Sequence, residues 1–138
     1  MYRKFEPPRS IDLLPRWKHL VAPFDLICGY TYFGQFFLRH SKTDEIAILY
    51  PQNVNLLPMG FLDWDEFQRE VLEKPEVKEE LLQPEKLESV QARLGPLEDD
   101  QVYIAQPYQM IGGRGEPETY GKGDLWVYAD LVAQTAGI

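Results

Sequence analysis

The sequence is poor in the residues that do chemistry. In 138 residues it has one cysteine, Cys28, and two histidines, His19 and His40. A lone cysteine forms no intrachain disulfide, which points to a reducing compartment and a cytoplasmic location. Neither histidine stands at a metal-ligand spacing from another donor, and no His lies near enough in sequence to activate Cys28 as a nucleophile. No apolar run approaches the ~20 residues of a membrane span, and the start MYRKFEPPRS lacks the apolar core of a signal peptide. A membrane partner is therefore not expected. Internal repeats and low-complexity linkers are also missing.

Basic charge is scarce as well. The net charge is −8, and its distribution is uneven. Residues 61–100 hold thirteen Asp/Glu against five Lys/Arg, whereas the other 98 residues hold nine of each, so the whole excess lies in the centre. Nucleic-acid binding needs a basic face, and none is present. A segment of this charge suits a basic protein partner, drawn in by electrostatic steering. The plainer reading is a solvated acidic face on helices.

What is present is globular. The chain has 44% apolar and 13% aromatic residues, enough for one domain that needs no disulfide or metal to hold it. Residues 1–23 read as a polar arm ending in Pro7-Pro8, then a short helix capped by Ser10 and interrupted by Pro15, with Trp17 covering the core. Residues 24–138 read as the domain proper. Phe24–Gly34 alternates as a strand, with Phe24, Leu26, Cys28, Tyr30 and Tyr32 on one face and Ile27 and Phe33 on the other. Gly34-Gln35 fits a two-residue hairpin turn. Strands follow at Phe36–Arg39, Glu45–Tyr50 and Val54–Leu57, joined by connections too short for parallel crossovers. The aromatic cluster of Tyr30, Tyr32, Phe33, Phe36 and Phe37 reads as a sheet core, or as a stacking platform for a ligand.

The middle is helical. Asp63 and Glu66 form a capping box, with Leu62 and Phe67 as its hydrophobic staple. Trp64, Phe67 and Val71 share a face, and Pro75 and Pro84 restart the helix. Gly95-Pro96 stops it. Gln101–Gln106 is a further strand, ending at Pro107. Met110–Gly123 is a glycine-rich loop with a short strand at its start, and Gly112–Gly115 could form a backbone nest for an anion. Asp124 caps a last helix with Leu125, Tyr128, Leu131 and Val132 as its buried stripe. The fold class is α+β: an antiparallel meander of about four to five strands packed against several helices in a single domain.

No catalytic constellation emerges, so the protein is not expected to be an enzyme, and no cofactor or metal is called for. Asp63, Asp65 and Glu66 on one helical turn rarely converge on a cation. Three segments instead carry a family resemblance. GYTYFGQFFLRH followed by IAILYPQ, then ARLGPLEDDQVYIAQPYQMIGG, then GKGDLWVYADLVAQTAG occur in order across residues 24–138. Together they resemble the C-terminal domain family of type VI secretion immunity proteins, a domain often found after a GAD-like domain. Gln35 stands where that family usually has an acidic residue, and QVYIAQPY departs from the usual ECYGFVPA.

The resemblance implies an α+β fold and a cognate inhibitor of a secreted antibacterial toxin, in several cases a DNase. The partner would be that toxin, a basic protein, bound through Asp63, Asp65, Glu66, Glu79, Glu80, Glu98, Asp99 and Asp100. Two other readings stay open at this point. One is a small-ligand or regulatory binding module using the aromatic sheet face. The other is a metal-dependent hydrolase, which would need Asp, Glu and His groups to converge in a cleft.

Overall fold

The computed structural model describes residues 1–106 and 116–138. Five antiparallel strands form one sheet in chain order: β1 (Tyr2–Ser10), β2 (Leu26–Thr31), β3 (Phe36–Arg39), β4 (Ile46–Tyr50) and β5 (Asn55–Gly60). Two short helices follow, each widening into a π-helical turn: α1 (Trp64–Phe67, then Gln68–Leu72) and α2 (Pro75–Val77, then Lys78–Leu82). Helix α3 (Pro84–Leu94) leads to a second, two-stranded sheet of β6 (Gln101–Ala105) and β7 (Tyr120–Asp124), and α4 (Leu125–Thr135) closes the chain. The architecture is α+β in one domain.

The central strands are apolar on both faces, so both must be covered. Along β3 and β4, Phe36, Leu38, Ala47 and Leu49 face one side and Phe37, Ile46 and Ile48 the other, all 2% exposed or less. The first face packs on Trp17, Leu14 and Val21 and on the α4 stripe of Leu125, Tyr128, Ala129 and Val132. The second packs on Phe67, Val71, Leu72, Leu81 and Leu82 of the α1–α2 region. A third cluster fills the space between α3 and the small sheet, through Leu87, Val90, Tyr103, Ala105 and Tyr120.

Several expectations hold. The Asp63–Glu66 capping box is formed, α3 runs from Pro84 to the Gly95 stop, and Asp124 caps α4 by accepting from Trp126 N and Val127 N. Trp17 is 1% exposed and donates from Nε1 to the Ala129 carbonyl at 3.0 Å. Phe33, Phe36, Phe37 and Tyr30 are core residues.

Others are corrected. The segment read as a polar arm is strand β1, paired with β2 from Tyr2↔Thr31 to Lys4↔Gly29 and again at Arg9↔Ile27 and Ser10↔Leu26. Pro7-Pro8 fall in the irregularity between these pairings, on an edge strand where a missing N–H costs little. Gly29 lets the two backbones approach, since a Cβ there would overlap the Arg3 carbonyl. In β2 the register against β3 shifts between Ile27 and Gly29. An inserted residue breaks strict alternation, so Cys28 faces the α1–α2 side while Ile27 and Tyr30 face α4.

The hairpin after β2 is four residues, Tyr32–Gln35, rather than two. Strand β5 runs through Pro58 to Gly60, which an edge position tolerates. Strand β6 pairs with β7 and not with the main sheet, so the loop expected over Met110–Gly123 contains a strand at its end. Its earlier part, with Pro107 and Gly112–Gly115, lies outside the described residues. On α4, Leu131 is 42% exposed, and Ala129 and Ala133 hold the buried positions instead.

Gly29→Ala is expected to destabilise the protein by about 1–3 kcal/mol, because the added methyl must push β1 away from β2. Chemical denaturation of the purified variant reads this as a lower midpoint, and an unchanged midpoint would refute the close-approach argument.

Candidate partner-binding surface

The residues that could carry catalysis stay apart. Cys28 is 3% exposed, and burial pushes its thiol up, against the smaller opposing pull of Arg39. It is a neutral thiol and a poor nucleophile. His19 is exposed on the segment after the first turn, and His40 shapes the β3–β4 turn by accepting from Lys42 N at 3.1 Å. Among the described residues no group of three His, Cys, Asp or Glu side chains could hold a metal ion. Among them, too, no helix is long and apolar enough to cross a membrane.

The eight acidic residues singled out in the sequence fall into three places, and their environments differ. Asp63 and Glu66 are tied up in the α1 cap: Asp63 accepts from Glu66 N at 2.8 Å. That backbone hydrogen bond, then the Glu66 side chain, holds the Asp63 carboxyl below the usual carboxylate range. Asp65 on the same turn is exposed. Beside Asp63 lies an open hollow of about 560 Å³, shared with Arg39, Asp44, Phe61 and Trp64. Phe61 is 70% exposed there.

Glu79 and Glu80 stand on the second π turn and are exposed. Glu98, Asp99 and Asp100 precede β6, and Asp99 and Asp100 border a second hollow with Arg3, Arg9 and Tyr30. Asp99 and Asp100 are not a free acidic loop. Asp99 pairs with Arg3, which also donates to the Leu97 carbonyl at 2.8 Å. Asp100 takes Arg9 Nη1 at 2.9 Å and Trp126 Nε1 at 3.1 Å, and its N–H donates to the Tyr30 hydroxyl at 3.1 Å. The guanidinium of Arg9 lies 4.0 Å from the Phe5 ring centroid, and Phe5 stacks on Trp126. Burial by itself would raise the Asp100 carboxyl. The Trp126 and Arg9 hydrogen bonds, with the charges of Arg9 and Arg3, outweigh it and leave the group below its ordinary value. These two aspartates clamp β1 to the β6 loop. Nothing in the sequence links partners more than ninety residues apart, so the clamp could not be read there.

Sequence reasoning also missed a cleft of about 240 Å³ where the main sheet, the second π turn, the small sheet and α4 meet. Its walls come from the β2–β3 hairpin (Phe33, Gln35), the end of β4 (Tyr50, Gln52) and the π turn (Glu80, Gln83), with Tyr103, Tyr120 and Tyr128 opposite. Gly34, between the lining residues Phe33 and Gln35, has φ +89°, and a Cβ there would strike the Tyr128 ring. The Tyr128 hydroxyl in turn accepts from Gln52 Nε2 at 2.9 Å. The only available signal was the turns at Gly34-Gln35 and Pro51-Gln52-Asn53. These were read as chain reversals, not as walls of one cleft.

A family model described as the T6SS immunity protein Tdi1, C-terminal, matches residues 63–136. The matched stretch begins at the Asp63 cap and takes in α1 to α4 with both strands of the small sheet. No protein with a curated description matches the sequence. Among solved structures, the crystal structure of Atu4351 from Agrobacterium tumefaciens superposes with a TM-score of 0.63 at 11% identity, covering 96% of this chain. The chain spans 66% of the length of that protein. At that identity the likeness shows the shared fold alone.

Asp100→Asn is expected to cost about 1–2 kcal/mol at neutral pH, a range set by charge-assisted hydrogen bonds discounted for partial exposure. The folded carboxyl is depressed, so its contribution is fully present above the unfolded-state pKa. It is lost as pH falls through the lower folded-state value. The gap between wild type and variant should therefore close on acidification below about pH 4, and denaturation curves at pH 7 and at pH 3 check it.

Proposed function

The chain belongs to the family of the T6SS immunity protein Tdi1 C-terminal domain, and from that premise we propose that it binds and neutralises a cognate secreted antibacterial toxin. The observation that carries this is the family match over residues 63–136. An immunity protein needs no reacting groups. It needs a rigid surface complementary to one toxin, and a domain whose sheet is buried on both faces supplies rigidity. The toxin is a basic protein, in our reading a DNase, because a nuclease that holds DNA carries positive charge that an acidic inhibitor can meet.

The local environments divide the acidic residues by role. Asp65, Glu79, Glu80 and Glu98 carry the long-range attraction, since their carboxylates enter no hydrogen bond or ion pair among the described residues. Asp63 and Glu66 are held by the α1 cap, and Asp99 and Asp100 by Arg3 and Arg9. The second pair acts on binding mainly by holding the β6 loop in place.

The test is co-expression with the product of the neighbouring reading frame. Co-purification of the two proteins, with rescue of growth when that product is toxic, is the expected result. Failure of both overturns the reading. Charge reversal at Glu79 and Glu80 together should slow association and flatten its dependence on salt, measured by surface-bound kinetics from low to physiological ionic strength. Unchanged affinity and salt slope would rule out the electrostatic part.

A further inference from the structure

We infer that the cleft bordered by Gln35, Tyr50 and Glu80 receives an arginine side chain of the partner protein. This rests on the immunity reading above and names the point of contact.

The lining decides the chemistry. Among the described residues that line it, Glu80 is the one charged side chain, and none is Lys or Arg. Its other polar groups are amides and phenols, among them Gln35, Asn53, Gln83, Tyr50 and Tyr120. The Glu80 carboxylate enters no hydrogen bond or ion pair among the described residues. It stands close enough to Tyr50 that its charge, after burial itself, raises the phenol. Such a hollow offers a carboxylate, amide oxygens and aromatic faces, and no cationic side chain is among its described lining residues. A ligand that complements it carries positive charge, several N–H donors and a flat face. The guanidinium group has all three, and a ring face already takes a cation nearby, where Lys86 Nζ lies 5.6 Å from the Tyr120 centroid.

Size narrows the choice further. At about 240 Å³ the cleft holds roughly eight waters. That is below the usual range of about 300–1,000 Å³ for small-molecule and cofactor sites. A single long side chain reaching in from a protein surface fits the space better than a free ligand of drug size. The walls are also fixed. The Tyr128 ring is packed on Gly34 and tied to Gln52. Gln35 is held by Thr31, whose hydroxyl and N–H both meet it. A preformed pocket at an interface concentrates binding energy in the residue that fills it.

Two arms test this. The first titrates N-acetyl-arginine amide into the full chain and follows side-chain amide and backbone NMR shifts. Its neutral isostere, N-acetyl-citrulline amide, is the control. Shifts confined to Gln35, Asn53, Gln83 and the Tyr50 region, weakened in Glu80→Gln and missing with citrulline, support the cleft. No shifts, shifts elsewhere, or equal shifts with citrulline overturn it.

The second arm measures affinity for the toxin from the neighbouring reading frame. Glu80→Gln should lose about tenfold or more. Glu76→Gln, which makes the same charge change on exposed α2, should stay within about threefold. If the toxin binds both variants alike, the cleft proposal fails and the immunity reading stands. If no toxin binds although the arginine derivative seats in the cleft, the immunity reading fails and guanidinium recognition by the cleft stands.

Discussion

The double burial of the central sheet sets the rest of the structure. Phe36 and Leu38 look one way from β3 and Phe37 looks the other, and none of the three is exposed. β4 repeats this with Ala47 and Leu49 against Ile46 and Ile48. A strand pair that is apolar on both sides cannot face water on either. One face therefore takes Trp17, the first turns and α4, and the other takes α1 and α2. The first cover is drawn from both ends of the chain and the second from its middle, which brings β1 and α4 together on one side although more than a hundred residues separate them. The Trp17 hydrogen bond to Ala129 and the Arg9–Asp100–Trp126 contacts are products of that closure.

The same constraint explains where a binding surface can lie. With both sheet faces covered, the aromatic hairpin has no free platform on which to stack a ligand. What remains for recognition is the rim: the outer face of α1 and α2, and the edges where three layers meet. The acidic residues sit on that rim in three separate neighbourhoods. Half of them are engaged in holding the fold, through the α1 cap and the two arginines of β1. A count of charge therefore overstates the number of carboxylates available to a partner. Position matters more, and Glu80 combines an unengaged carboxylate with a wall of a cleft.

Elements punctuated by local chemistry were legible in advance. Asp63 with Glu66, Gly95 with Pro96, and Asp124 ahead of an apolar stripe each act within one helical turn, and all three boundaries stand as read. The strands β3 and β4 were equally clear, because their residues are apolar without interruption. Errors arose where a distant segment decided the outcome. Residues 2–10 look polar because an edge strand with two prolines carries Lys, Glu and Arg. Only pairing with β2 makes it a strand. Leu131 is more apolar than Ala129 or Ala133, yet packing turns the stripe of Leu125, Tyr128, Ala129, Val132 and Ala133 to the sheet and leaves Leu131 off it. The irregularity near Cys28 shifts the alternation of β2, and no residue there announces it.

By itself the sequence determined the class of fold, the local starts and stops, the central concentration of negative charge, and the family to which the chain belongs. These depend on residue type, short spacing and order along the chain. Tertiary structure decided which carboxylates are free, which are bound to arginine, and that Gln35, Tyr50, Glu80 and Tyr120 border one cleft. Those facts depend on distances between residues far apart in the chain, and such distances come into being only when the two faces of the sheet are covered.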